Sequence, residues 1–407
     1  MQAVPHRPVY LDHAATSPLS PAAREVILAH LDLVGNPNSL HGPGRAAHRL
    51  VEESRERLAV AIGVHPSEIL FTSGGTEADN LGLKGTWWAS HGRDAHRRGI
   101  LLTGAEHHAV LDAVEWLVAH EGAHTVQVPL LSDGRVDLGA WESALATHGP
   151  TLAVATLMWA NNEVGTVQPI QAAAALASRH GVPMHSDAVQ ALGHVPVELR
   201  APGLSSAAIT AHKLGGPVGI GALVLGRDQK PVPLQHGGGH ERSLRSGTLD
   251  AVGAAAFAAA AQEAMANLEE EARRQTGLRD RLIAGVRAAV PDAVLNGPEP
   301  GAMPGSESAP RLPGNAHFTF PGCEGDSVLF MLDMAGIASS TGSACTAGVA
   351  GPSHVLMAMG RAEAEARCVQ RFSLGATSTL ADVDALLAAL PAAVAGARAA
   401  GLSGVGR

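Results

Sequence analysis

The chain has 407 residues, 46% of them hydrophobic and 16% charged, and a formal net charge of −9. That is the composition of an ordinary globular protein long enough for two or three compact domains, and it excludes a disordered or fibrous chain. A mildly acidic chain with no basic run also lacks the footprint of a dedicated nucleic-acid binder, although a few backbone N–H groups can hold a small phosphate in an acidic protein.

In chain order, Met1 to Leu11 has no apolar core of a secretory signal, so a cytoplasmic location is expected. Ile69 to Phe71 and Gly99 to Thr103 are short apolar runs, and His108 to His120 carries Val110, Leu111, Val114, Leu117 and Val118 on one helical stripe. Thr125 to Leu130 reads as a strand, and Asp137 as the cap of a helix running to Ala146. Thr151 to Trp159 is a continuous apolar strand, Ile170 to His180 a helix and Val182 to Ser186 a strand; Ala207 to Thr210 and Gly219 to Leu225 complete the series. Continuous apolar strands separated by helices predict an α/β fold with a mostly parallel sheet covered on both faces. From Asp250 to Val290 the pattern is one long helical connector, and its alanine-dominated part, Ala251 to Leu268, reads as the longest apolar stretch of the chain. Gln262 and Glu263 within that stretch argue for a buried helix over a membrane span. Gly297 to Gly314 is the clearest loop. Beyond it, strand-like segments at Ala316 to Phe320 and Val369 to Leu374, helices at Asp326 to Ala335 and Ser353 to Met359, and a terminal helix predict a smaller α+β domain. Cys323, Cys345 and Cys368 are too few and too scattered for a disulfide framework; with no C-x-x-C pair, no zinc knuckle and no metal site is expected.

In such sheets ligands bind beyond the carboxyl ends of the strands. After Phe71 comes Thr72-Ser-Gly-Gly-Thr-Glu77, small residues that free N–H groups for a phosphate or simply make a turn. After Trp159 come Asn161, Asn162 and Glu163, costly to bury unpartnered, otherwise a solvated loop. After Ser186 comes Asp187, suited to a protonated ring nitrogen or to a helix N-cap. After Ile209 comes Thr210-Ala-His-Lys213, where a lysine flanked by His and a Gly-rich turn is placed for a lowered pKa and a Schiff base, or is a surface lysine in a chain whose only others are Lys84 and Lys230. A phosphate cradle, amides, an acid and a lysine at four successive strand ends are the inventory that pyridoxal 5′-phosphate (PLP) requires.

Over essentially its whole length the sequence resembles cysteine desulfurases of the NifS/IscS type, within the class V aminotransferase group of fold-type I PLP enzymes. The segments that carry the resemblance are Tyr10-Leu-Asp-His-Ala-Ala-Thr16, Gly35-Asn-Pro-Asn-Ser39, Phe71 to Glu77, Glu106-His-His108, Asn161-Asn-Glu163, Asp187-Ala-Val-Gln190, Ala211-His-Lys213, His236-Gly-Gly-Gly239, Arg245-Ser-Gly-Thr248, Ser343-Ala-Cys345 and Arg371-Phe-Ser-Leu-Gly375. The resemblance implies a seven-stranded, mostly parallel large PLP-binding domain over residues 16–262, with 1–15 and 263–407 forming the small domain. It implies that Lys213 carries the cofactor, Asp187 pairs with its ring nitrogen, Gln190 with its ring oxygen, and that His107 stacks on the ring and moves protons, with His108 a plain helix-start residue. Gly75, Thr76, Thr210 and His212 would bind the phosphate, and Thr248 would reach the phosphate of the other subunit of a homodimer. Asn162 and Arg371, with Asn38, would hold the substrate carboxylate. Cys345, in a run of small residues that predicts a mobile loop, would take sulfur from L-cysteine as a persulfide and pass it to an iron–sulfur scaffold or a tRNA-thiolating enzyme, with no direct nucleic-acid or membrane contact. Thr210 stands where the family usually has Ser and Gly75 where Ala is common; both keep the phosphate site workable. The alternatives are a selenocysteine lyase or another class V PLP aminotransferase, and a non-catalytic scaffold on the same fold.

Overall fold

A computed structural model of the chain describes residues 8–301 and 310–342, the backbone of 345–346 and 349–350, and residues 351–404, with backbone alone from 401. The chain opens with a two-residue strand, β1 (Val9–Tyr10), and two helices, α1 (Pro21–Ala29) and α2 (Gly42–Ile62). Strands and helices then alternate: β2 (Ile69–Thr72), α3 (Gly75–Arg93), β3 (Gly99–Thr103), α4 (His108–Glu121), β4 (His124–Val128), α5 (Leu138–His148), β5 (Leu152–Thr156), α6 (Ile170–Arg179), β6 (Met184–Asp187), β7 (Leu204–Thr210) and β8 (Gly221–Leu225). The seven strands β2 to β8 form one sheet in the order β2-β8-β7-β6-β5-β3-β4, in which β8 alone runs antiparallel to its neighbours. Strands β3, β5, β6 and β8 are buried along their entire length, as sheets covered on both faces require, whereas edge strand β4 is largely open to solvent.

Local chemistry sets the boundaries. Asp137 accepts from the N–H groups of Gly139 and Ala140 (2.9 and 3.0 Å) and starts α5, and Asp250 accepts from the Gly253 N–H (2.8 Å) and starts the helix that opens at Ala251. Gly63 and Gly122, both at φ +72°, end α2 and α4 in the left-handed conformation that glycine tolerates best. Gly203 (φ +91°) brings the chain into β7 against α6, where a Cβ would lie 2.2 Å from the carbonyl oxygen of Ala174. Gly203→Ala is therefore expected to lower stability by about 1–3 kcal/mol, read by chemical denaturation, because both the backbone and a packed carbonyl must shift.

The segment 250–290 corrects the sequence expectation of one long helix. It is two helices, α7 (Ala251–Ala266) and α8 (Leu268–Ala289), broken at Asn267, whose Nδ2 donates to the Glu263 carbonyl (3.0 Å). A side chain that bonds back to the preceding turn competes with helix continuation, and no Gly or Pro marks the place. The alanine-rich α7 packs on α1 and α2, and its small side chains allow the close approach.

After α8 come β9 (Val294–Asn296), β10 (Asn315–Thr319), α9 (Gly325–Met334), β11 (Ile337–Ala338), the short β12 (Cys345–Thr346) and β13 (Val349–Ala350), α10 (His354–Ala358), α11 (Glu363–Arg367), β14 (Val369–Ser373) and α12 (Leu380–Gly404). Strands β14, β10 and β9 form an antiparallel sheet with its own core of Phe318, Phe320, Phe372, Leu386 and Leu390. Among the described residues, helix α12, not the shorter Ala251 stretch, is the segment long and apolar enough to cross a membrane by length and composition. Val383, Leu386 and Leu390 on α12 are wholly buried in the second core, which accounts for the apolar run. The N-terminal strand belongs to this half of the molecule: β1 pairs with β11, and Asp12 bridges to Ser373.

Candidate active site

A cavity of about 270 Å³ opens at the carboxyl ends of β6 and β7 and the N-terminus of α3, closed on one side by the N-terminal segment and by Arg371 of β14. Lys213, three residues beyond β7, points its Nζ at two backbone carbonyls, those of Ala14 and Ala15 (2.8 Å to Ala15). Burial, reinforced by Arg371, brings the Lys213 ammonium down to about 8 against the opposing pull of Asp187 and Asp12. Acylation of Lys213 in the cofactor-free chain should therefore rise with a midpoint near pH 8, read by peptide mapping after limiting acetic anhydride; a midpoint above 10, that of an exposed lysine, would contradict it.

Asp187 ends β6 and is almost wholly buried. Burial raises its carboxyl and outweighs the opposing pull of His107, the Val189 N–H (2.9 Å) and Lys213. Gln190, one turn on, donates through Nε2 to the Ala14 carbonyl (2.8 Å), which it shares with Lys213. His107 caps α4: its Nδ1 accepts from the Ala109 N–H (3.0 Å), leaving Nε2 to carry the proton of the neutral ring, and burial lowers its pKa.

Helix α3 begins at Gly75 with Gly74 before it and no side chain capping its first turn. Gly75 lies so close to Val189 that a Cβ would come within 2.8 Å of Val189 Cγ2. Thr76, Thr210 and His212 line the same cavity. Thr210 Oγ1 donates to the Ile220 carbonyl (3.2 Å), His212 Nδ1 lies 3.2 Å from Thr16 Oγ1, and burial and Lys213 bring the His212 ring down to about 4. First-turn N–H groups with neutral hydroxyls and an imidazole around them make an anion site.

Arg371 is 4% exposed in its side chain and already engaged: Nη1 donates to the Asn162 carbonyl (2.9 Å), Nη2 pairs with Asp12 Oδ1 (2.7 Å), and the buried Nε has no partner. Asn162 also faces the cavity, whereas its neighbours build the loop: Asn161 accepts from the N–H groups of Glu163 and Val164, and Glu163 receives the Ser353 hydroxyl.

The structure thus brings together Gly75, Thr76, His107, Asn162, Asp187, Gln190, Thr210, His212, Lys213 and Arg371. Asn38 and Thr248 do not line the cavity; both are exposed, and the Asn38 amide is engaged with His240. The side chain of Cys345 lies outside the described residues. Glu163, offered by the sequence beside Asn161 and Asn162, lines the site, as do residues the sequence did not point to: Asp79 from α3, Met158 and His354. His108, expected to be a plain helix-start residue, faces the cavity too, its ring edge-on to His354 with centroids 4.9 Å apart. Asp79 had a sequence signal: a carboxylate on the otherwise apolar face that holds Ala78 and Leu81.

The chain matches the model of the family described as aminotransferase class-V over residues 9–386. A relative from Mycobacterium tuberculosis named IscS-like cysteine desulfurase is 54% identical over 397 residues, spanning 98% of this chain and 99% of its own. A relative from Cereibacter sphaeroides named cysteine desulfurase is 40% identical over 385 residues, spanning 94% of this chain and 95% of its own. Among solved structures, a NifS-like protein superposes with a TM-score of 0.84 at 32% identity, covering 95% of this chain and 99% of that one. Sequence, fold and the polar groups gathered at the strand ends agree, and the chain belongs to the class-V aminotransferase family, among its IscS- and NifS-like cysteine desulfurases.

Proposed function

We propose that this chain uses PLP to take sulfur from L-cysteine, releasing L-alanine and holding the sulfur on Cys345 for delivery to an acceptor protein. The observation that carries the reading is the convergence of a lysine brought down to about 8 and a buried aspartate on one cavity with an uncapped helix N-terminus. Class-V aminotransferases and cysteine desulfurases depend on PLP. The residues fit that group: the N-terminus of α3 with Thr76, Thr210 and His212 suits a phosphate, and Asp187 suits a protonated ring nitrogen. When bound, PLP supplies the electron sink that makes the Cα proton of an amino acid removable.

The chain's own residues do the rest. Lys213 would carry the cofactor and afterwards accept the Cα proton on Nζ, which its lowered pKa permits near neutral pH. Asp187 keeps the ring nitrogen protonated, and Gln190 stands beside the ring oxygen. Arg371 and Asn162 hold the substrate carboxylate; because Asp12 and the Asn162 carbonyl already engage the guanidinium, the substrate meets an arginine fixed in orientation. The thiolate of Cys345 attacks the substrate sulfur, the S–Cβ bond breaks, and its electron pair stays on Cβ, which takes up a proton to become the methyl group of alanine. His107 Nε2 is the nitrogen free to exchange that proton. Thr248, exposed and away from the chain's own cavity, would complete the phosphate site of a second copy. The acceptor is an iron–sulfur scaffold or a tRNA-thiolating enzyme.

The test is intact-mass spectrometry of the purified protein before and after L-cysteine, without reductant, followed by peptide mapping. Added sulfur on the Cys345 peptide with alanine in solution is expected. Bound cofactor without sulfur gain would replace this reading by an aminotransferase or a selenocysteine lyase.

A further inference from the structure

From Asp79, which lines the cavity, a hydrogen-bonded row of buried side chains runs back onto β6 and β7, and the reaction just described does not use it. Asp79 is 1% exposed, and its Oδ1 lies 3.2 Å from His185 Nε2. His185 is fully buried on β6, two residues before Asp187 and so on the same face of the strand, and its Nδ1 lies 2.8 Å from Ser206 Oγ on β7. The imidazole is clamped: Gly82 of α3 lies over it, and a Cβ there would come within 2.5 Å of Cε1 and Nδ1.

Two arrangements satisfy these distances. An ionised Asp79 would accept from His185 Nε2–H, with Ser206 donating to Nδ1. A neutral Asp79 would instead donate to Nε2, with His185 Nδ1–H donating to Ser206. Electrostatics separates them. The only ion-pair partner of Asp79 among the described residues is the His185 ring, and burial holds that ring neutral down to about 3. Asp187 and the buried Glu106 both face Asp79 electrostatically, and Glu106 is itself pushed up to about 8. Asp187 by contrast has Lys213 and His107 beside it. A buried carboxylate without a cation, next to another carboxyl, is neutralised before its partnered neighbour.

We propose that Asp79 is a neutral acid that donates its proton to His185 Nε2, that His185 carries its own proton on Nδ1 and donates it to Ser206, and that this row leaves Asp187 as the negative charge on the cavity floor. Asp79 and His185 are then positioning residues for Asp187. The consequence for Asp187 rests on the function proposed above, but the arrangement of protons does not, and it is measured without turnover.

The experiment is nitrogen-15 NMR of the purified full chain labelled at histidine, with the His185 signal identified by its loss in His185→Gln. An Nδ1–H tautomer is expected; an Nε2–H tautomer overturns the proposal. Infrared spectroscopy provides a second reading. Asp79→Asn should remove one protonated-carboxyl C=O band at pH 7, leaving that of Glu106, and an unchanged band pattern overturns the proposal. If Asp79→Asn fails to fold, the tautomer of the unsubstituted chain still decides. A chain that shows the Nδ1–H tautomer but gains no sulfur from L-cysteine would keep the proton row and refute the desulfurase reading.

Discussion

Lys213→Ala is expected to lower alanine release from L-cysteine by about 10⁴-fold, the upper range for removing a positioned acid–base group. The amine sits between Asp187 and the carbonyls of Ala14 and Ala15, and no other lysine lines the cavity. Lys213 lies outside the hydrophobic cores, so the variant should retain its secondary structure by circular dichroism, with a lowered midpoint because the carbonyls of Ala14 and Ala15 lose their donor. Lys213→Arg should fail nearly as completely, because a guanidinium neither loses its proton near neutral pH nor forms the lysine's bond to a carbonyl carbon. A Lys213→Ala protein within tenfold of the parent rate would remove Lys213 from the reaction.

The second large effect concerns stability. Glu241, Arg242 and Ser243 stand at φ +43°, +58° and +61°, three successive non-glycine residues in the left-handed region. Such conformations cost on the order of 1–3 kcal/mol each and persist only where their surroundings hold them. Here the holder is an ion pair. Arg55 Nη1 and Nη2 meet the Glu241 carboxylate at 2.8 and 2.6 Å, Phe71 N–H donates to it at 2.7 Å, and Arg55 also donates to the Ile69 carbonyl (2.9 Å). Both side chains are largely buried, so Glu241→Gln leaves Arg55 only the half-exposed Glu52 (3.2 Å) as counter-ion and releases the strained turn. A loss of about 3–5 kcal/mol in chemical denaturation is expected. Arg55→Met combined with Glu241→Met should recover part of it, because the pair is removed with no charge stranded. A Glu241→Gln loss below about 1 kcal/mol would show that the turn is held by other contacts.

Much of the sheet was legible because most of its strands are buried on both faces and largely apolar, so the polar groups at their ends stood out: Asp187 closing β6, and Thr210 closing β7 with Lys213 just beyond; the polar His185 and Ser206 inside those strands did not. The break at Asn267 was not legible, since an asparagine inside an Ala- and Glu-rich run carries no helix-stop pattern. Asp79, Glu163 and His354 reach the cavity from a helix interior, a structural loop and a helix of the second sheet's half, positions that only the three-dimensional fold brings together. Thr248 was expected to serve another copy of the chain and indeed lies away from this chain's cavity, whereas Asn38 matched a family motif and is exposed beside His240 instead of lining the site. The extent of α12 was obscured by its alanine content, which reads as composition before it reads as core.

The pairing of β1 with β11, together with the Asp12 contacts to Arg371 and Ser373, has a consequence for biogenesis. Residues 9–15 are made first, but their partners leave the ribosome more than 300 residues later, so the carbonyls of Ala14 and Ala15 that receive Lys213 cannot be set in place during most of synthesis. At about 5–20 residues per second, the nascent sheet of β2 to β8 waits roughly 7–30 s for β14 with its lysine unanchored. A chain truncated between β8 and β14 would therefore emerge with a complete central sheet but with the Lys213 cavity still open on the side that β14 closes.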